Sequence, residues 1–244
     1  MKKILFIIFA IISFAFNAQT VEADYEFKVN NKVLHNTHTF PATLKFDRKS
    51  GTKFYKVQFG IQSSENLPDN FFTSKKKPVY FIYGKEKEPV TIFENVPNVK
   101  ETDYVFTDEY DMKWSSSDET KTVDNIKLSK AETDFRGRHY IAWYDSKNNI
   151  SAGPWKFKNV PGLIYEVYDT MDSFRWKLTK ITVHNEKIEN PFNSYTGVIT
   201  SFHQYPELRY GLTPELKKEL AKVPNNTFHE QERNGLETKF EWEN

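Results

Sequence analysis

Few residues in this chain have the types and spacing that chemistry needs. His35 and His38 lie three apart, a metal-ligating interval on a helix. Their surroundings read as strand or loop, where residues three apart point to opposite faces. His139, His184, His203 and His229 stand alone in the sequence and read as structural or surface groups. Asp145, Glu166 and Asp169 could supply a pair of carboxylates for acid–base work, provided that a cleft sets their separation. Arg136 and Arg138 flank a glycine and could fork onto a carboxylate or phosphate, or pair with local acids such as Glu132 and Asp134. Asp169, Thr170 and Met171 resemble a short acceptor motif for O-glycosylation in envelope proteins.

The absences narrow the field. There is no G-x-S-x-G elbow, no H-E-x-x-H pair, no G-x-G-x-x-G and no P-loop. The chain has no cysteine, which excludes disulfides, thiolate catalysis, thiolate metal sites and a lipid-modified cysteine. No cofactor is expected. The runner-up reading is an envelope hydrolase using carboxylates or a His-bound metal.

The elements that must position these residues begin with an N-terminal leader. Lys2 and Lys3 precede an apolar run from Ile4 to Phe16, followed by Asn17, Ala18 and Gln19. A run of 13 residues is short for a bilayer-spanning helix, which needs about 20. The pattern is that of a secretory signal over residues 1–18, cut between Ala18 and Gln19. Export to the periplasm or beyond the cell follows. No later segment is long and apolar enough to span a membrane as a helix.

After that cut, 32 basic side chains face 33 acidic ones. Such a balance gives no global attraction to nucleic acid or an anionic surface. Aromatic residues make up 16% of the chain, with 21 Phe and 13 Tyr. These favour pleated strands and bury a large area each.

Short runs with strand character recur at intervals of 8–12 residues, the spacing of an antiparallel sheet, sandwich or open barrel. They include 21–29, the hairpin 42–46 with 53–59, then 78–83, 90–93, 104–106 and 112–114. A second hairpin joins 126–135 to 139–144 through Arg136, Gly137 and Arg138, and a third pair spans 163–168 and 174–183. Residues 62–77 read as a polar loop. One late helix is signalled by Thr213 as N-cap, Pro214 at the first position, Leu216 and Leu220 one turn apart, and Pro224 as its stop.

The expected fold is therefore mainly β: a single antiparallel curved sheet or open barrel over 19–224 with a late helix. A half-barrel like the lipoprotein carriers is one version. Residues 225–244 read as a polar, loosely held tail.

Gly153 to Ile164 contains Asn159-Val160-Pro161-Gly162-Leu163-Ile164, which resembles the signature of the GLPGLI family of exported Gram-negative proteins. Asn159 replaces the first glycine and Val160 the leucine. Lys130-Ala131, Phe135 to Arg138 and Ala142 to Tyr144 match the family's lead-in, so the likeness covers about 126–168. The family often has a cysteine just before the Lys-Ala pair, a place held here by Leu128 or a neighbour. The resemblance implies export and carries no activity or catalytic residue.

Pro154 and Pro161 fix φ, and Gly153 and Gly162 permit unusual backbone or close approach. The segment is expected to form a compact connection that closes one end of the β core or rims a groove. The candidate ligand-binding set is Arg136, Arg138, Trp143, Trp155, Phe157, Pro161 and Gly162, for an unidentified envelope ligand or protein partner.

Overall fold

A computed structural model describes residues 20–32, 35–59, 79–95, 103–148, 150–212, 214–223 and 232–243. The leader, the loop at 62–77, the cap at Thr213 and the stop at Pro224 lie outside the described residues.

Twelve strands run in chain order: β1 (Thr20–Asn31), β2 (Asn36–Asp47), β3 (Thr52–Gln58), β4 (Val79–Lys85), β5 (Val90–Asn95), β6 (Asp103–Asp108), β7 (Ser115–Val123), β8 (Ile126–Phe135), β9 (Arg138–Asp145), β10 (Leu163–Asp169), β11 (Phe174–His184) and β12 (Ile199–Ser201). A 3-10 turn follows at Phe202–Gln204, then helix α1 (Tyr205–Tyr210) and helix α2 (Pro214–Leu220).

All twelve strands join one sheet in the order β12-β6-β5-β4-β3-β2-β1-β11-β10-β9-β8-β7. Its two end strands do not pair with each other, so the sheet is open. Pairing is antiparallel except for β12 beside β6. The mainly β fold and the late helix expected from sequence are present. The segment 112–114 is irregular, and β7, β12 and α1 are additions to the expected elements.

Local chemistry sets the turns. Asp47 Oδ1 accepts from the N–H groups of Lys49 and Ser50 at 2.9 and 2.8 Å, and Gly51 takes φ +66° to enter β3. Between β8 and β9, Arg136 and Gly137 both have positive φ, the two-residue turn whose twist matches its strands.

Alternation explains the single core. Val21, Ala23, Tyr25 and Phe27 on β1 are buried, as are Ala42, Leu44 and Phe46 on β2 and Tyr140, Ala142 and Tyr144 on β9. Residues from β1 through β6 and from β8 through β11 turn one face into the same apolar cluster. One face of an open sheet can share one core only by curling around it.

What fills that concavity is mostly not strand. The connection from Ile150 to Gly162 brings in Trp155 and Phe157, buried to 1% and 0% exposure. Phe202 arrives in the 3-10 turn, Tyr205 at the start of α1, and Phe240 from the segment 232–243. The polar reading of 225–244 is corrected here for residues 232–243: Phe240 is 1% exposed and Glu237 5%. Two buried side chains in a polar stretch suffice to anchor it once partners exist for both.

Candidate functional site

The connection 150–162 is shaped by its own residues and held by the sheet. Trp155 and Asn159 take φ +49° and +65°, which reverses the chain within a few residues. A side chain at Gly162 would place Cβ 2.2 Å from the Asp145 carbonyl oxygen, so only glycine permits this approach. Carbonyls of the connection are satisfied by side chains from other segments: Tyr110 Oη donates to Lys156 O at 2.9 Å and Trp114 Nε1 to Lys158 O at 2.8 Å. Lys53 Nζ donates to Phe157 O at 3.0 Å. Burial pushes the Lys53 ammonium down to about 7, and the charge of Lys158 adds to the fall.

Beside this connection sits a knot of buried charge. Arg136 donates two bonds to Asp108, Nη1 to Oδ2 and Nη2 to Oδ1, both 2.8 Å, and Nη1 also reaches Glu237 Oε1 at 2.5 Å. Lys156 Nζ donates to Asp108 Oδ2 at 2.7 Å and Glu237 Oε1 at 2.6 Å. The side chains of Arg136 and Lys156 are both 0% exposed. Arg136 Nε adds Glu241, which is half in water. Burial alone would raise the Asp108 carboxyl, but the Lys156 ammonium and Arg136 guanidinium outweigh it and hold Asp108 below the usual carboxylate range. The Lys156 ammonium also lies 3.7 Å from the Phe202 ring centroid. The local acids offered to Arg136 by sequence, Glu132 and Asp134, instead bind Lys130 and His139.

The other half of the concavity is not filled. A cavity of about 370 Å³ lies between the inner faces of β1 to β5 and β11, the Trp155 side chain, α1 and the segment 235–237. Phe27, Phe40, Phe59 and Trp176 form one wall, with Trp176 stacked on Phe27 at 4.5 Å and Phe40 edge-on to Phe59 at 5.0 Å. Val29, Phe40 and Phe59 are partly exposed and His38 is exposed, so the cavity opens on their side.

Its deeper part is ringed by polar tips on aromatic bodies. Trp176 Nε1 donates to Tyr55 Oη at 2.9 Å and Trp155 Nε1 to Tyr80 Oη at 3.1 Å. Tyr205 Oη donates to Glu94 Oε1 at 3.0 Å. Burial pushes the Glu94 carboxyl up to about 7, against the opposing pull of Arg209 on α1 and of the Tyr205 hydroxyl. Glu237 lines the same wall, joining the cavity to the knot.

Of the seven residues singled out from sequence, Trp155 lines this cavity. The other six do not, and each has another place. Arg136 is locked in the knot. Arg138 binds Asp169 at 2.9 Å and the Gly235 carbonyl at 2.6 Å, and its guanidinium stacks 4.7 Å from the Phe174 ring. It thus braces two cavity residues from behind. Trp143 faces away from the core under the Lys121 ammonium. Phe157 is buried against Trp155 and Trp176, Pro161 is exposed, and Gly162 is the close approach already described.

The candidate acid–base carboxylates are likewise engaged separately. Glu166 pairs with Lys121 and Arg175, Asp169 with Arg138 and two backbone amides, and Asp145 with the Lys147 amide. Among the described residues, no three His, Asp or Glu side chains gather as metal ligands would. No helix there is long and apolar enough to cross a membrane.

Sequence reasoning missed Glu94 and Asp108, although strand alternation points to both. Val90, Ile92 and Glu94 share one face of β5, and Phe106 and Asp108 share one face of β6. A carboxylate in register with buried apolar residues is the signal.

No family model matches the chain, and no curated relative does. Among solved structures, PNGF-II in two crystal forms superposes with TM-score 0.49 at 16% identity, over 78% and 79% of this chain. The chain spans about a third of PNGF-II, 32% and 33% in the two forms. A domain described as an outer membrane lipoprotein-sorting protein from Vibrio parahaemolyticus superposes with TM-score 0.36 at 8% identity, over 72% of this chain and 89% of that one. Likeness at this level transfers no ligand and no activity.

Proposed function

We propose that this protein is an exported, non-catalytic binding protein of the cell envelope that holds an apolar or amphiphilic ligand within its curved sheet. The observation that carries the reading is the aromatic-walled cavity of about 370 Å³ on the concave face of the sheet. That volume lies in the range of small-molecule sites, which are concave, largely apolar and marked by a few placed polar groups. Glu94, Arg209 and the tyrosine hydroxyls are such groups here. The separate engagement of Asp145, Glu166 and Asp169 weighs against the hydrolase alternative.

The same reading makes the chain a divergent member of the GLPGLI-type exported proteins. Asn159 supports it: the position where the signature has glycine takes φ +65°, a conformation that asparagine tolerates better than most residues. Gly162 supports it too, since the position is closed to any side chain. Export through a leader at 1–18 places the protein in the periplasm or outside the cell.

The test is native mass spectrometry of the mature protein purified from its own envelope, followed by organic extraction. A mass above that of the bare chain, with an extractable apolar molecule, is the expected result. A bare mass together with no binding of an apolar fluorescent probe would overturn the proposal.

A further inference from the structure

We infer that the cavity takes a carbonyl compound, a ketone, ester or amide on an apolar body, whose carbonyl oxygen accepts hydrogen bonds from the Tyr55 and Tyr80 hydroxyls. This rests on the ligand-binding reading of the same cavity and names the chemical class that fits it.

An indole N–H can only donate a hydrogen bond. Trp176 Nε1 and Trp155 Nε1 therefore make acceptors of the Tyr55 and Tyr80 hydroxyl oxygens, at 2.9 and 3.1 Å. A phenol that has accepted one bond still has its own hydrogen to place. Tyr25, Tyr110 and Tyr140 place theirs on the Ile164, Lys156 and Leu236 carbonyls, and Tyr205 places its own on Glu94. Among the described residues, no protein oxygen accepts from Tyr55 or Tyr80. Glu94 takes its bond from Tyr205 and none from Tyr80.

Both hydroxyls are committed donors. Burial pushes the Tyr55 hydroxyl up, and burial with the nearby charge of Glu94 does the same for Tyr80, so both keep their protons. Tyr55 is 1% exposed and Tyr80 8%, and both line the cavity. A buried donor without an acceptor is costly, so the molecule that fills this space is held where it can accept.

The strand register puts the two donors together. Tyr55 lies opposite Ile82 and Tyr80 opposite Val57, which makes the tyrosines diagonal neighbours on one face of β3 and β4. Their indole partners are stacked, with the Trp155 and Trp176 ring centroids 6.0 Å apart. A carbonyl oxygen has two lone pairs and can serve both hydroxyls, whereas a hydrocarbon can serve neither. Phe40 and Phe59 stand at the opening, so the carbonyl is the inner end of the ligand and the hydrocarbon body its outer end.

Two probes of closely matched shape test this: 4-phenylcyclohexanone and phenylcyclohexane. Binding to the mature chain is followed by tryptophan fluorescence, and each affinity is referred to transfer of the probe from hexadecane. On that scale the ketone is expected to bind at least about tenfold more tightly. The carbonyl stretch of the bound ketone, isolated in the infrared by isotope labelling of the probe, is expected at lower wavenumber than in hexadecane. Tyr55→Phe and Tyr80→Phe are each expected to move the stretch partway back and to cut the ketone's advantage about threefold. The double variant is expected to remove it. Melting temperatures report whether the variants keep their fold, and the wild-type spectrum stands without them.

A bound ketone whose stretch matches that in hexadecane, a hydrocarbon that binds as tightly on the same scale, or a folded double variant that keeps the full preference would each overturn the carbonyl inference while leaving the cavity a binding site. Failure of both probes to bind the wild-type chain would count against the binding function itself, and the inference would fall with it.

Discussion

The two halves of the concave face are built from the same materials and end in opposite states. Around Arg136 and Lys156, aromatic rings and charges close on one another. Around Trp155, Trp176 and Glu94, rings and charges line a space. The difference lies in who supplies the filling. The knot is completed by Glu237, Phe240 and Phe202, side chains from distant parts of the chain that reach inward. The cavity is walled mainly by the sheet's own aromatic residues, with Trp155, Tyr205 and the segment 235–237 at its margin. A curved sheet makes a hollow, and whether the hollow becomes core or site depends on the segments laid into it.

Four substitutions test that contrast, from the largest effect to the smallest. Lys156→Met should be the most damaging. It leaves Asp108 and Glu237 sharing one buried cation, and the loss of a buried partner costs about 3–5 kcal/mol. Urea unfolding measures it, and a loss below about 1 kcal/mol would mean that the knot is hydrated in solution.

Phe240→Ala comes next, at about 3 kcal/mol, because its ring packs on Phe202 at 6.0 Å and Trp242 at 5.0 Å within a filled region. A near-silent Phe240→Ala in thermal melting would return residues 232–243 to the status of a loose tail.

Glu94→Gln should move stability by about 1–2 kcal/mol, and only at the alkaline side. The folded pKa of about 7 lies above the unfolded carboxylate value, so the fold binds this proton more tightly than the unfolded chain. Its contribution is complete below the unfolded value and is lost as pH rises through about 7. The variant should therefore match wild type near about pH 5 and exceed it near about pH 8. A difference of the opposite sign would show that Arg209 dominates over burial.

Phe40→Ala should cost least, about 1 kcal/mol, because one side of its ring already faces open space. Truncation of equal chemistry at Phe240 and Phe40 thus separates core from cavity directly. Comparable losses in melting experiments would erase the distinction between the two halves.

The sheet was legible in the sequence and the site was not, for a physical reason. Alternation is written over a few residues, so Tyr25, Phe27, Tyr140 and Ala142 reveal their facing from local pattern alone. The turn at Arg136-Gly137 is local in the same sense. The cavity is assembled from β1 to β5, β11, one connection and the chain's last segment, and no short window contains it. The likeness around 126–168 drew attention to Arg136, Arg138 and Trp143, which proved to brace the structure or to face outward. Strand β7, a run of Ser, Asp, Glu, Thr and Lys, was missed because its side chains are mostly exposed and carry no apolar alternation. Glu94 and Asp108 were missed because each strand was read by its apolar members and not by the polar residue continuing the same face.

The reach of Arg136 has a consequence for how the chain matures. Its partner Glu237 lies 101 residues further along, and Lys156 finds the same carboxylate after 81 residues. A ribosome releases both cations long before the acid that completes their set. Until then Asp108 alone must serve two positive groups, and Phe202 lacks the Phe240 ring that later packs against it. Contacts of such span are slow to form, since loop closure precedes their reward. Maturation of this protein is thus weighted toward Glu237 and Phe240, which close the knot last.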